Sequence, residues 1–426
     1  MTINASQGIT QSAIYSRRNP ELFLSLLKIL VIIEFFLAPI LTYLYSFYGF
    51  TLYDLSLLQI FRGILLLCIL LCLFVIGFPS RVKLFHPIII LFLYSAFLSI
   101  LVVFPKNTII ASLKIAYPCI IGIASFVLAS RALLSVTFIQ RLSYYWLLSY
   151  IITQAIAYYS GSTTYNSSYA AAGLGGNASS ADMLIFLLPF FLLSGHWRVP
   201  DILCIFAIVL SSSLTMRRTA LLGILCSIIA AMLARSRKQN MRFRPVFISL
   251  ILLIFLFLGL SYSLNKTQWG IDFSERLEDR TGAGRTNIWR SGFNHIAQRP
   301  FYLNIFGEGE GAFASAMIKQ MGFSVGAHSG WLSLFVAYGI IGLFLYIQFF
   351  RRLFKITFFS FHLRNSSSFE ILSSIIAGIL VAETTQGFLL SPSSVPIYTM
   401  LGFQLAHMAK AKKYSHAYNK NIFRHR

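Results

Sequence analysis

The stretch AHSGWLSLFVAYGIIG, residues 327 to 342, decides how the rest of the chain is read. It sets a histidine at the mouth of a strongly apolar run that closes on two glycines. At about 100° per residue, the eleven residues from His328 to Gly339 turn the chain back to within about 20° of the same helical face, and Gly342 lies about 40° off on the other side. One expected stripe thus carries His328, Leu332, Phe335, Gly339 and Gly342. A side chain able to take up a proton stands at its water-facing end, above a groove cut down to glycine.

Composition says where such a helix belongs. The chain has 426 residues, of which 57% are hydrophobic and 11% charged, with a mean hydropathy of +0.73. A soluble globular protein does not have that balance, so the expected class is an all-α polytopic membrane protein forming a single integral membrane domain, residues 1–426. The net charge of +22 could suggest nucleic acid. The basic residues instead fall in short clusters between apolar runs, as topology is encoded in a bilayer protein, and no nucleic-acid partner is expected. Cys68, Cys72, Cys119, Cys204 and Cys226 all lie inside apolar runs, which indicates neither a disulfide framework nor a thiolate metal site. Arg17 and Arg18 precede a long apolar segment with no small-residue cleavage site, so a retained first span is expected.

Apolar runs of about spanning length occur near 22–47, 57–78, 87–104, 108–129, 142–160, 182–196, 200–216, 219–234, 245–263, 330–350, 371–390 and 395–409, predicting about twelve transmembrane helices. RSRKQNMRFR at 235 to 244 carries five basic residues, RRLFK at 351 to 355 three, and the basic tail 410–426 six, so these belong in the cytoplasm. Counting back puts both termini inside and leaves one sizeable periplasmic loop, residues 264–329. Its seven basic and six acidic residues read as a folded element packed on the bundle. No internal repeat is visible, which counts against two-half transporters.

Several cations collect on the outer side of this topology. Arg217 and Arg218 sit in the tight turn of SSSLTMRRTALLG, residues 211 to 223, against the positive-inside trend. They either snorkel to outer headgroups or capture a phosphate or pyrophosphate, for which the guanidinium fork is suited. Arg285 opens a segment with Trp289, Phe293 and Ile296 at helical spacing, which reads either as a solvated amphipathic helix or as a ligand-positioning one. Arg62 and Lys114 lie one to two turns inside the outer ends of spans two and four, and Glu383 in the outer half of span eleven. A salt bridge within the bundle is as natural for each as a ligand contact. GEGEG at 307 to 311 lacks the Lys-Ser/Thr of a phosphate loop and reads as a flexible turn. Glu308, Glu310 and Asp279 are carboxylates that nothing in the sequence ranks. His295 is the outer competitor of His328, on a loop helix with no evident tie to the bilayer. No histidine, cysteine or carboxylate spacing suits a metal, and no metal or other cofactor is expected.

The spacing of His328, Ser329, Gly339 and Gly342 resembles H-[NSQ]-x9-G-x-x-G of the O-antigen ligase and Wzy-type O-antigen (polysaccharide) polymerase superfamily. Arg218-Thr219-Ala220 resembles the family's basic turn before a helix, and Gly284-Arg285, Trp289, Pro300, Gly307, Gly309 and Gly311 follow its order ahead of the histidine. The resemblance covers roughly residues 205 to 350. It implies a GT-C-like helical fold in the bacterial inner membrane with a periplasmic active site, and metal-independent transfer of glycan from an undecaprenyl-pyrophosphate carrier. It also implies membrane lipids and a chain-length regulator protein as partners. On that likeness His328 is the catalytic base, and Arg217, Arg218, Arg285, Arg62, Lys114, Ser329, Gly339 and Gly342 bind substrate, the carrier tail lying along the glycine stripe. The double-basic turn and GIIG favour a polymerase of lipid-linked repeat units over a ligase acting on lipid A-core, and a flippase is the alternative of a different class.

Overall fold

The computed structural model describes residues 21–34, 51–52, 55–77, 79, 82–102, 105–159, 179–191, 199–214, 218–239, 285–322, 327, 329–362, 366–385, 389–390 and 394–424. Apart from one short antiparallel pairing of β1 (Thr51–Leu52) with β2 (Leu55–Ser56), the described elements are helices. They are α1 (residues 21–34), α2 (Leu57–Ile76), α3 (His86–Leu98), α4 (Pro105–Ser130), α5 (Val136–Tyr159), α6 (Ser179–Phe191), α7 (Val199–Leu214) and α8 (Arg218–Gln239). After these come α9 (Arg285–Gln298), α10 (Phe301–Phe306), α11 (Ala312–Met321), α12 (Gly330–His362), α13 (Ser366–Thr385) and α14 (Val395–Arg424). A helix covers all or part of every apolar run read from the sequence except 245–263, which lies outside the described residues.

Pro105–Ser130 and Gly330–Phe361 are long and apolar enough to cross a membrane; Ile60–Ile76, His86–Leu98, Val199–Ser212 and Ala220–Ser236 are shorter apolar helices. Their outer surfaces say the same thing physically. Ile64, Leu67, Leu71 and Phe74 on α2, Ile90, Leu93 and Phe97 on α3, and Ile340, Phe344, Ile347, Phe354 and Phe358 on α12 are all exposed, each set at helical spacing along one face. Apolar stripes of that extent are untenable against water and natural against lipid, so this is a membrane protein.

The core of the bundle is α4. Every residue from Ile115 to Ala129 is buried, because neighbours cover the helix on all sides, α14, α3 and α2 among them. Contact with α14 is backbone to backbone. A side-chain carbon on Gly402 would land on the Gly122 carbonyl oxygen, and one on Gly122 would meet the Tyr398 carbonyl oxygen at 2.9 Å. Small residues let two helices approach closely where lipid offers no hydrophobic drive to bring them together. On the cytoplasmic side of the expected topology, Arg235 of α8 pairs with buried Glu370 of α13 at 3.6 Å. The Lys410 ammonium of α14 donates to the Ala129 carbonyl at 2.9 Å.

Helices α9, α10 and α11 form a cap over the first turns of α12, with a small core of their own. Ile288, Phe313, Ala316, Met317, Leu332 and Val336 are buried together, with Trp289 and Ile296 against them. The buried face of α9 therefore follows Ile288, Trp289 and Ile296, and Phe293, expected on that face, is exposed. Arg299 keeps its amide bond to the His295 carbonyl, and Pro300 then ends the helix, having no N–H to donate and turning the backbone extended at ψ 141°.

Candidate functional site

The site is organised by a break in α12. Gly339 has φ 62° and ψ −160°, which no helical residue adopts, so the amide-to-carbonyl ladder fails there. In a continuous helix the carbonyls of residues 335, 336 and 337 would accept from the amides of 339, 340 and 341. Here they are taken up from outside. The Arg299 guanidinium donates to Phe335 O at 3.3 Å and Val336 O at 3.1 Å, the Glu308 amide to Val336 O at 3.1 Å, and the Gly309 amide to Ala337 O at 2.9 Å. Buried carbonyls must be paired, and the GEGEG insert pairs two of these, Val336 O and Ala337 O, while Arg299 takes Phe335 O and shares Val336 O. It is a pinned segment and not the flexible turn expected from its glycines. Gly307, Gly309 and Gly311 take φ of 86°, 83° and 92°, and a side-chain carbon on Gly307 would run into the Ala337 backbone.

Arg299 and Glu308 were not ranked by the sequence, yet they lie at the centre. The Arg299 Nη1 donates to Glu308 Oε1 at 2.9 Å and its Nε to Asn304 Oδ1 at 2.6 Å, and its guanidinium lies 5.3 Å from the Phe335 ring centre. His295 Nε2 meets the same Glu308 oxygen at 2.8 Å. Burial alone would raise the Glu308 carboxyl, but hydrogen bonds and charge from His295 and Arg299 outweigh it and hold its pKa below the ordinary 4.5. His295 is thereby tied through Glu308 to α12, a contact that the sequence did not reveal. The signal that could have found this cluster is His295 and Arg299 four residues apart, one helical turn, with Pro300 directly after.

Glu310, two residues on, is in the opposite state. Its amide donates to Thr108 Oγ1 at 3.1 Å, fixing the backbone against the start of α4. Its side chain is exposed, yet protein surrounds it closely enough that burial raises its carboxyl above 4.5, offset in part by the nearby Lys114 ammonium. Glu310 is thus a solvent-facing carboxylate with a lysine close by.

The residues expected to bind or react fall out as follows. Ser329 caps α12, its hydroxyl accepting from the Leu332 amide at 3.4 Å and its carbonyl from Ser333 at 3.0 Å, so it is placed as a helix cap and not as a ligand contact. Gly339 and Gly342 do not line a groove for a lipid tail. A side-chain carbon on Gly339 would land on the Ile305 carbonyl, and one on Gly342 on the Tyr338 side chain, so protein fills that space; the helical phase count also fails once Gly339 leaves the helix. Arg62 points its Nε at the buried Glu34 carboxylate at 3.3 Å and lies over Tyr117, which places its charge in the bundle and not at a ligand. Glu383 likewise closes a loop, accepting from the Leu389 amide at 2.5 Å. Lys114 is exposed beside Glu310.

Arg217, His328 and Asp279 lie outside the described residues. Arg218 opens α8, whose described packing partners include α13, α6 and α7, and Arg285 opens α9. One bond joins two of the motifs. Trp289, one turn after Arg285, donates its indole N–H to the Ala327 carbonyl at 2.9 Å, so the first turn of α9 stands beside the residue that precedes His328. Among the described residues no group of three or more His, Cys, Asp or Glu is placed to hold a metal ion.

Residues 199–347 match the family model described as O-Antigen ligase. That match spans about a third of the chain and supports a likeness to the O-antigen ligase and polymerase superfamily. The matched stretch runs from the first residue of α7 into the inner half of α12, so the family region contains the double-arginine turn, α9, the GEGEG insert and the histidine segment together. Members of the superfamily are glycosyltransferase-like enzymes. No curated protein matches the chain.

Proposed function

We propose that this protein polymerises lipid-linked oligosaccharide repeat units at the periplasmic face of the bacterial inner membrane, transferring glycan from undecaprenyl pyrophosphate without a metal. The observation that carries the reading is the Trp289–Ala327 bond inside the family-matched region, which sets the start of the Arg285 helix against the His328 segment. An acceptor sugar hydroxyl attacks C1 of the donor glycan. His328 takes the hydroxyl proton, an imidazole with an ordinary pKa of about 6.5 being neutral and available at neutral pH. The C1–O bond to the pyrophosphate breaks, and Arg217, Arg218 and Arg285 offset the charge that develops on the departing undecaprenyl pyrophosphate.

The test is transfer by the purified full chain in liposomes, with chelator present. His328→Ala should lose roughly 10²–10⁴-fold in rate, and the wild-type rate should fall as pH drops below the histidine pKa, since protonation removes the accepting nitrogen. Near-normal turnover by His328→Ala would sink the base assignment. A second reading, compatible with the same family match, is ligation of glycan to lipid A-core. A deletion strain that accumulates lipid-linked single repeats supports the polymerase; one that accumulates full-length lipid-linked polymer supports the ligase. A reporter fused at Gly282 should report periplasm in either case.

A further inference from the structure

We infer that Glu310 and Lys114 form a sugar-binding subsite, in which the Glu310 carboxylate accepts hydrogen bonds from hydroxyl groups of the glycan and Lys114 donates to its oxygens. This deepens the transfer reading by assigning a place for the carbohydrate itself.

Three observations converge on it. The first is rigidity. Gly309 and Gly311 hold positive φ on either side of Glu310, the Gly309 amide is bonded to α12 and the Glu310 amide to Thr108 of α4, so the residue is carried on backbone that two helices fix. The packing leaves no slack, since a side-chain carbon on Gly309 would meet Thr108 Oγ1 at 2.7 Å and one on Gly311 would meet Asn107 Nδ2 at 3.0 Å.

The second is an open acceptor. Among the described residues the Glu310 carboxylate accepts no hydrogen bond, although Glu308, two residues earlier on the same insert, accepts from both His295 and Arg299. Open to solvent and without a donor from the described residues, the carboxylate keeps its acceptor sites available to the hydroxyl groups of a ligand.

The third is the set of side chains around it. Asn107 and Lys114 lie seven residues apart on α4, two turns along one face, and both are exposed. The buried Tyr338 hydroxyl, accepting from Ser95 Oγ at 3.1 Å, lies within electrostatic reach of Glu310. An acceptor-only carboxylate, a donor-only ammonium and an amide carrying both functions match a polyhydroxylated ring, whose hydroxyls donate and accept. A phosphate would be repelled by Glu310, and an acyl tail would find nothing apolar to gain from it. Lys114 sits nine residues into α4, about 13 Å along the helix from Pro105, which puts the subsite near the outer membrane surface, where a lipid-linked sugar is presented.

The experiment uses the full chain in nanodiscs and, as probe, the host's repeat-unit oligosaccharide freed from its lipid carrier. Titration should show saturable binding by the wild type. Glu310→Ala should weaken it about tenfold or more, with Glu310→Gln and Lys114→Met intermediate, the range for losing one charge-assisted bond. In transfer assays the same variants should raise KM for the glycan with kcat little changed. Glu310→Gln is nearly isosteric and keeps the backbone bond to Thr108, so an unchanged thermal midpoint for it excludes misfolding as the cause. Absence of binding by the wild type, or equal affinity and KM across these variants, overturns the subsite. Glu310-dependent binding by a chain that transfers nothing would overturn the transfer reading alone, and normal transfer with KM indifferent to Glu310→Ala would overturn the subsite alone.

Discussion

Replacing Arg299 by alanine removes the side chain that holds the broken helix and its insert together, and the structure says how much that should cost. The guanidinium is 2% exposed and makes hydrogen bonds to Glu308, Asn304, Val336 O and Phe335 O. Deleting one partner of a buried ion pair costs about 3–5 kcal/mol. Two features put this case at the low end: Glu308 keeps His295, and Val336 O keeps the Glu308 amide. Phe335 O and Asn304 lose the bond Arg299 gave them. A loss of about 3 kcal/mol is roughly a 150-fold shift in a local opening equilibrium. The assay is amide hydrogen exchange on the full chain in nanodiscs, following Glu308 and Gly309, whose amides bond across the break. Both should exchange roughly 150-fold faster in Arg299→Ala, with the interior of α4, Ile115 to Ala129, unaffected. Arg299→Lys keeps the charge and loses the fork, so it should fall between. Unchanged exchange at Glu308 and Gly309, or an equal rise throughout α4, would refute the view that Arg299 locally clamps the break.

Acid should loosen the same clamp. The Glu308 pKa is lowered in the folded chain, so its contribution is fully present above about 4.5 and is lost as pH falls through the folded value. Thermal midpoints of wild type and Glu308→Gln should therefore differ at pH 6 to 8 and converge as pH falls below 4.5 through the lowered folded value. Gly339→Ala should abolish accumulation of the folded protein, since the position has φ 62° and its new carbon would strike the Ile305 carbonyl. Gly63→Ala on α2, with nothing within 4 Å, should be neutral or slightly stabilising, and equal yields of the two would contradict the packing at the break. Trp289→Phe removes the indole N–H bonded to Ala327 O and should cost about 1 kcal/mol of local stability. It should also reduce transfer more than it shifts the thermal midpoint, because the lost bond anchors the residue next to His328; unaltered transfer would separate Trp289 from the site.

What the sequence determined by itself is written in period and polarity. Mean hydropathy, apolar runs and basic clusters specify a helical membrane protein, because a bilayer forces each spanning segment to satisfy its own backbone and to be apolar over its length. The order of Arg218, Arg285, Trp289 and His328 was enough to resemble the family whose model matches residues 199–347. Tertiary structure alone decided the role of the glycines and the carboxylates. Nothing local marks Gly339 as a helix break, since glycine fits helices and breaks alike, and only contact with the backbone of residues 305 to 307 shows that its missing side chain makes room for protein and not for lipid. Arg62 and Arg299 are equally plain as letters. One meets a buried glutamate 28 residues earlier in the chain, and the other meets carbonyls 36 and 37 residues later. Glu308 and Glu310 differ by two positions, yet one shares a salt bridge with Arg299 and His295 while the other stands exposed beside Lys114.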